Sequence, residues 1–341
     1  MTKINAAITS VGHYLPKNIL TNKDLEKIVD TSNKWILERT GISERRIMDK
    51  RIINKTLPLN ESKGSSFMGS EAAKECLERR GISAKEIDLI IFCTVTPDMM
   101  FPATACLVQN NIGADKAWGY DLSAGCSGFL YGLMAGTQFI KSGAHKKVLV
   151  IGADMMSSIL NYEDRNTCIL FGDGAGCVLL EPTEEEEGVL DFTCQVDGGG
   201  GEFLKMEAGG SRNPTSHKTV DEQMHYVYQD GRTVFKHAVS RMAEVSVKIL
   251  EQNNLEGKDV DLFIPHQANI RIIDATAKRM GIDSSKVLIN IQKYGNTTAA
   301  TLPLGMYDAV NDGRLTKGSN LILTTFGTGF TWGSCYIKWN Y

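Results

Sequence analysis

The sequence predicts an α/β fold made of two related halves. Strand-like apolar runs alternate with amphipathic helix-like segments along the chain, as expected where helices cover sheet faces. The chain also repeats itself. EAAKECLERRGISAKEIDLIIF, from Glu71, aligns without a gap with EVSVKILEQNNLEGKDVDLFIP, from Glu244; Glu, Leu-Glu, Lys, Asp-Leu and Ile recur in register. Each copy reads as helix, turn and buried strand, so the pair argues for an internal duplication.

In chain order, helices are expected over Ser66–Arg80, Val234–Asn253 and Ile270–Met280, where apolar residues recur at helical spacing. Strands are expected over Ile87–Val95, Lys147–Gly152, Val260–Ile264 and Leu321–Thr325, which are short and apolar throughout. The halves join near Glu181–Gly188, whose run of glutamates favours a solvated loop. That sets the division at 1–183 and 184–341. DGGGGE (197–202) reads as a flexible loop. FGDGAG (171–176) and FGTGFTWG (326–333) read as tight turns, because neither fits GxGxxG or closes with the Lys-Ser/Thr of a phosphate loop.

The 341 residues are 42 % hydrophobic and 23 % charged, with a net charge of −3. No global basic field points to nucleic acid or an anionic membrane. Eight cysteines (76, 93, 106, 126, 168, 177, 194 and 335) form no CxxC pair, which leaves a zinc or redox motif unsupported. Neither a signal peptide nor a bilayer-length apolar run is evident. A reducing cytoplasm is expected.

The chemistry centres on DLSAGCSGF (121–129), which places Cys126 at the start of a helix among small residues. Unpaired N–H groups and the positive end of the helix dipole favour thiolate there. Taken alone, a free cysteine of this kind more often packs than reacts. His266, in PHQANIR, follows a strand at the position where α/β sites gather. Asn296, in YGNTTAATLP, precedes small residues that let a helix pack closely. Alone, either could be structural; together with Cys126 they suit nucleophile chemistry.

WILERTGISERRI (35–47), FPATAC (101–106), GCSGF (125–129), DRNTCILFGDGAG (164–176), PHQANIR (265–271), GNTTAA (295–300) and FGTGFTWG (326–333) occur in one order over nearly the whole chain. In this the sequence resembles the β-ketoacyl-acyl carrier protein synthase III family of the thiolase fold. The resemblance implies a duplicated five-layer αβαβα architecture and a homodimer. It implies a decarboxylative Claisen condensation of a short acyl-CoA primer with malonyl-acyl carrier protein, initiating fatty acid synthesis. Cys126 would carry the acyl group, and His266 and Asn296 would stabilise the enolate. The backbone N–H groups of Cys126 and Thr328 would form the oxyanion hole. No metal or organic cofactor is called for.

By the same resemblance Trp35 and Arg165 would flank the adenine of coenzyme A. Arg39 and Thr40 would lie at the nucleotide end, and Phe235, Ala268 and Asn269 would line the binding passage. Lys236, Arg271, Lys278 and Arg279 would dock the acidic carrier protein. Phe101 would close the acyl pocket of a neighbouring subunit, favouring a primer such as acetyl. Three features depart from the family pattern: Thr328 where glycine is usual, Arg232 where a smaller polar residue is common, and a long segment 49–65 expected to be a surface loop near the entrance. A specialised condensing or acyl-transfer enzyme of a polyketide-like pathway is the alternative on the same fold. Degradative thiolases would need a second-cysteine motif, chalcone synthases are longer and lack RTGI, and a nicotinamide oxidoreductase would need GxGxxG. A non-enzymatic scaffold leaves the Cys, His and Asn set without purpose.

Overall fold

The computed structural model describes residues 4–58 and 60–341. Two sheets lie face to face with helices between and outside them. The first has the strand order Asn5–Tyr14, Gly174–Thr183, Val148–Asp154, Leu89–Cys93, Trp118–Leu122. The second has the order Gly188–Val196, Thr331–Lys338, Asn320–Gly327, Leu262–Pro265. Their pairing repeats: Leu89–Cys93 runs parallel to Val148–Asp154, as Leu262–Pro265 does to Asn320–Gly327, and the next two pairings are antiparallel in both sheets. The segments that repeat in sequence, 71–92 and 244–265, occupy equivalent places, each a helix, a 3-10 turn and a strand.

Five layers result. Gly64–Arg80 covers the outer face of the first sheet, and Gly231–Gln252, backed by Ile270–Met280, covers that of the second. Gly128–Lys141 and Thr301–Asn311 lie between the sheets. Phe129, Leu130, Leu133, Leu302 and Met306 share one core with Ile91, Val150, Leu323 and Ile337. Burial on both faces explains why LIIFC and VLVIGAD are apolar without alternation.

Element bounds differ from the sequence expectation where side chains intervene. The expected strand over Ile87–Val95 is Leu89–Cys93. Asp88 still bonds both flanking segments through its main chain while its carboxylate accepts the N–H groups of Lys146 and Lys147, and the Val95 N–H donates to the Asp154 carboxylate instead of a strand. The helix expected from Val234 begins at Gly231, because Asp230 caps the Thr233 N–H. DGGGGE is not a flexible loop but a 3-10 turn over Gly198–Glu202, held by Asp197, with Gly200 packed on Phe330.

Candidate active site

Cys126 belongs to a single 3-10 turn, Gly125–Ser127, and the helix proper begins at Gly128. Ser127 donates its N–H to the Ala124 carbonyl at 3.1 Å and its hydroxyl to the Thr331 carbonyl at 3.1 Å. Thr325 Oγ1 donates to the Cys126 carbonyl at 2.9 Å. The turn of the first half is thus fastened to a hairpin of the second. The contact leaves no room for side chains. A Cβ on Gly327 would stand 2.7 Å from the Cys126 nitrogen, and one on Gly125, already at φ 57°, would meet Thr328 Cγ2 at 2.5 Å.

In the unliganded site burial opposes the thiolate that the sequence leads one to expect at Cys126. Burial pushes the thiol up to about 12, the buried Asp154 carboxylate adds to the rise, and hydrogen bonds from the Asn296 side chain and the cysteine's own N–H only partly offset it. Among the described residues burial is the largest influence on the sulfur, and no cation offsets it.

His266 follows the Leu262–Pro265 strand, where its N–H donates to the Thr324 carbonyl at 2.7 Å. The residue is 2 % exposed. Burial pushes the imidazole down to about 3, so the ring is neutral at physiological pH. Nδ1 is sealed from solvent and has no partner among the described residues.

Asn296 comes from the loop before the Thr301–Asn311 helix, and its backbone is stapled to the first half. Its N–H donates to the Leu170 carbonyl at 2.8 Å, and its carbonyl accepts the Gly172 N–H at 3.0 Å. Its Oδ1 accepts the Thr298 N–H at 2.9 Å. The acceptor end of the amide is therefore engaged, and the Nδ2 donor end is left for the Cys126 thiol.

The three side chains line one cavity of about 90 Å³, together with Phe171, Ala268 and Phe326. Cys126 also lines a second, mostly apolar cavity of about 180 Å³ walled by Met156, Ile159, Leu204, Met206 and Thr328. An outer cleft of about 680 Å³ is lined by Trp35, Arg39, Thr40, Arg232, Phe235 and Arg271. Gln229, Gly231, Phe235 and Asn269 border both the inner cavity and this cleft, so one passage runs from the surface to the sulfur. Asn269 caps the Ile270–Met280 helix through the Arg271 N–H and donates to the Arg39 carbonyl at 2.8 Å, joining the two halves at the neck. The Thr40 hydroxyl is engaged by Ile36 and Ile42.

One group stands differently from what a nucleotide between Trp35 and Arg165 would require. The Arg165 guanidinium lies 5.5 Å from the Trp35 ring centre, and that of Arg39 lies 4.8 Å away. A ring inserted between Trp35 and Arg165 needs about 7 Å, two van der Waals gaps. Arg165, held here by Asp30, must therefore swing outward before it can flank a base. Phe101 is 84 % exposed and lines none of these cavities of its own chain. Lys236, Lys278 and Arg279 are exposed away from the passage and make no ion pair among the described residues; Arg271 packs over Phe235 at 4.9 Å.

The chain matches the family models described as 3-oxoacyl-[acyl-carrier-protein (ACP)] synthase III over residues 120–198 and the C terminal of the same synthase over residues 250–339. It is 56 % identical to the β-ketoacyl-[acyl-carrier-protein] synthase III of Koribacter versatilis over 342 residues, 99 % of each chain. The synthase III of Chlorobaculum tepidum is also 56 % identical, over 98 % of this chain and 100 % of that one. The chain belongs to the β-ketoacyl-[acyl-carrier-protein] synthase III family. The crystal structure of the Aquifex aeolicus family member superposes with a TM-score of 0.87 at 42 % identity, over 98 % of this chain and 100 % of that one.

Within the family frame, the hairpin of Leu204–Met206 and Val227–Gln229 went unread in the sequence, although it walls both inner cavities. Its strands have three residues each, too few to show alternation. The segment 49–65 reaches the cleft loops indirectly. Arg51 pairs with Asp49 and Glu61, while Lys55 stands 3.7 Å from Glu163 and 6.0 Å from the Tyr226 ring, beside the loop that carries Arg165. Leu59 lies outside the described residues.

Proposed function

We propose that this chain condenses a short acyl-CoA primer with malonyl-acyl carrier protein, through an acyl thioester on Cys126, and so begins fatty acid synthesis. The observation that carries the reading is the meeting of Cys126, His266 and Asn296 on one small cavity at the end of one passage.

Coenzyme A enters along the cleft past Trp35, Arg39 and Asn269, with Arg165 moved outward onto the adenine and the pantetheine arm beside Ala268. The Cys126 sulfur attacks the acyl carbonyl carbon, the bond to the coenzyme A sulfur breaks, and the thiol proton passes to that departing sulfur. A thiol held near 12 need not ionise beforehand, because the leaving thiolate takes its proton. The N–H groups of Cys126 and Thr328 receive the charge of the tetrahedral oxygen. The acyl chain lies in the apolar cavity beyond the sulfur, where Leu204, Met206 and Met156 suit a short primer. Malonyl-carrier protein then takes the emptied passage. Carbon dioxide leaves, and the thioester oxygen of the enolate is held by the Asn296 Nδ2–H and the neutral His266 Nε2–H. The enolate carbon attacks the acyl-cysteine, the carbon–sulfur bond breaks, and the Cys126 thiolate takes a proton from water.

The carrier protein docks on Lys236, Arg271, Lys278 and Arg279. A homodimer would bring the exposed Phe101 of each chain to the acyl cavity of the other, with each chain divided at 183/184. Among the described residues no helix is long and apolar enough to cross a membrane, and the proposed setting is the cytoplasm. The full-length matches to synthases III weigh against the polyketide-like alternative. Incubating the protein with acetyl-CoA and malonyl-carrier protein tests the reading: an acetyl adduct on the Cys126 peptide and an acetoacetyl-carrier protein mass are expected. Absence of both with folded protein would falsify it.

A further inference from the structure

Asp154 closes the Val148–Asp154 strand and is fully buried. No cation pairs with it among the described residues. An isolated carboxylate there would be costly, and hydrogen bonds compensate it. Oδ1 accepts from Thr94 Oγ1 at 2.9 Å, from the Val95 N–H at 2.7 Å, and from the Thr96 N–H and hydroxyl at 3.2 and 3.1 Å. Oδ2 accepts from the Thr298 hydroxyl and from the Ala299 N–H, the latter at 3.0 Å. One oxygen thus holds a strand end of the first half, and the other holds the loop of the second half that carries Asn296.

Thr298 links this carboxylate to the site. Its φ is +49°, in the left-handed region that a β-branched residue avoids. Two bonds keep it there. Its hydroxyl is held by Asp154, and its N–H donates to Asn296 Oδ1. That second bond fixes which end of the Asn296 amide faces Cys126. Without the bond to Asp154 the loop from Asn296 to Thr298 loses the anchor that keeps the Thr298 N–H on Oδ1. The amide could then turn its oxygen, an acceptor, toward the place where an enolate oxygen develops.

We propose that Asp154 is a positioning residue for decarboxylation: through Thr298 it holds the Asn296 amide with its donor end in the cavity. This rests on the condensing-enzyme reading above. Acyl transfer to Cys126 rests on the sulfur and the backbone N–H groups, with the amide giving the thiol no more than one hydrogen bond, so the two partial reactions separate the role from mere stability.

The test measures isotope-labelled carbon dioxide release from malonyl-carrier protein and acetyl labelling of Cys126 from acetyl-CoA. Asp154→Asn keeps an oxygen toward residues 94–96 but sets an NH₂ against the Thr298 and Ala299 donors. Carbon dioxide release is expected to fall about 10- to 100-fold, the worth of a hydrogen bond to a charged group, while acyl labelling changes by less than about threefold. Thr298→Val, which removes only the hydroxyl, should fall in the same direction, and Thr298→Ser should recover release. If Asp154→Asn does not fold, the two Thr298 variants decide. Equal loss of both partial reactions, or no loss of either, overturns the proposal. A wild-type protein that neither labels nor releases carbon dioxide would instead remove the underlying function.

Discussion

Thr328 Oγ1 donates to the Leu204 carbonyl at 2.6 Å, tying the turn after the Asn320–Gly327 strand to the hairpin that walls the apolar cavity. Its Cγ2 packs directly on Gly125. The residue that stands where the family usually has glycine thus both fills space and fixes a wall. Thr328→Gly removes both effects while keeping the N–H. Its ratio of kcat/KM for hexanoyl-CoA over acetyl-CoA should rise roughly tenfold, within the range one or two methylenes command in an apolar pocket. Competing the two primers and weighing the products checks this. An unchanged ratio would mean that other residues size the cavity.

Cys126 is a buried thiol whose ionisation burial opposes, up to about 12. In the free protein its alkylation by iodoacetamide should therefore be slow at neutral pH and climb about tenfold per pH unit, with no plateau below about pH 9. Prior treatment with acetyl-CoA should block it. A plateau near neutral pH would show that the helix end governs the sulfur after all.

Much of this was legible because the sequence repeats and because fully buried strands carry unbroken apolar runs. LIIFC and VLVIGAD announce themselves, and 71–92 against 244–265 announces the duplication. Cys126, His266 and Asn296 stand at element ends beside small residues, and the reason is now visible: the backbones of Gly125 and Gly327 touch neighbours that a Cβ would strike. What the sequence hid depends on contacts between distant segments. The state of the thiol is set by burial from both halves, the slot between Trp35 and Arg165 by a bond to Asp30, and the Asp154 clamp by residues 144 positions apart. None of these leaves a periodic or local mark.

Asn296 is the amide that faces the thiol, and its removal should divide the reaction. In Asn296→Ala, carbon dioxide release from malonyl-carrier protein should drop about 100- to 1000-fold, as for loss of one oxyanion donor. Acetyl labelling of Cys126 should persist. Asn296→Asp should be at least as damaging, since a carboxylate would repel the enolate. Equal loss of labelling and release would place Asn296 in the acyl-transfer step.

His266 is held neutral by burial, with its ionisation pushed down to about 3. On the proposed mechanism the neutral ring would be the donor to the enolate, and carbon dioxide release should show no ionisation near the ordinary histidine value of about 6.5. The rate should stay level as pH falls from about 8 to about 5.5. Stability behaves differently. Between about 3 and 6.5 the unfolded chain binds the proton that the buried ring refuses. The contribution of His266 is therefore complete above about 6.5 and declines as pH falls toward 3. A rate that instead rises as pH falls through about 6.5, while the fold stays intact, would assign the donor role to an imidazolium.

Lys278 and Arg279 end the Ile270–Met280 helix, whose first turn brings Arg271 to the mouth of the cleft. Two explanations compete for this pair. Cations in a last turn stabilise the helix dipole by about 0.3–1 kcal/mol, which would need no partner. Docking of an acidic carrier protein predicts more, since the chain as a whole carries −3 and has no general attraction for an anion. Replacing both residues by Glu should lower the melting temperature slightly under either explanation. Only docking raises the KM for malonyl-carrier protein, and that rise should shrink as salt screens the charges. The KM for acetyl-CoA should not move, because neither side chain lines the passage. A carrier-protein KM that stays constant at low salt would leave the dipole as the whole account of these two charges.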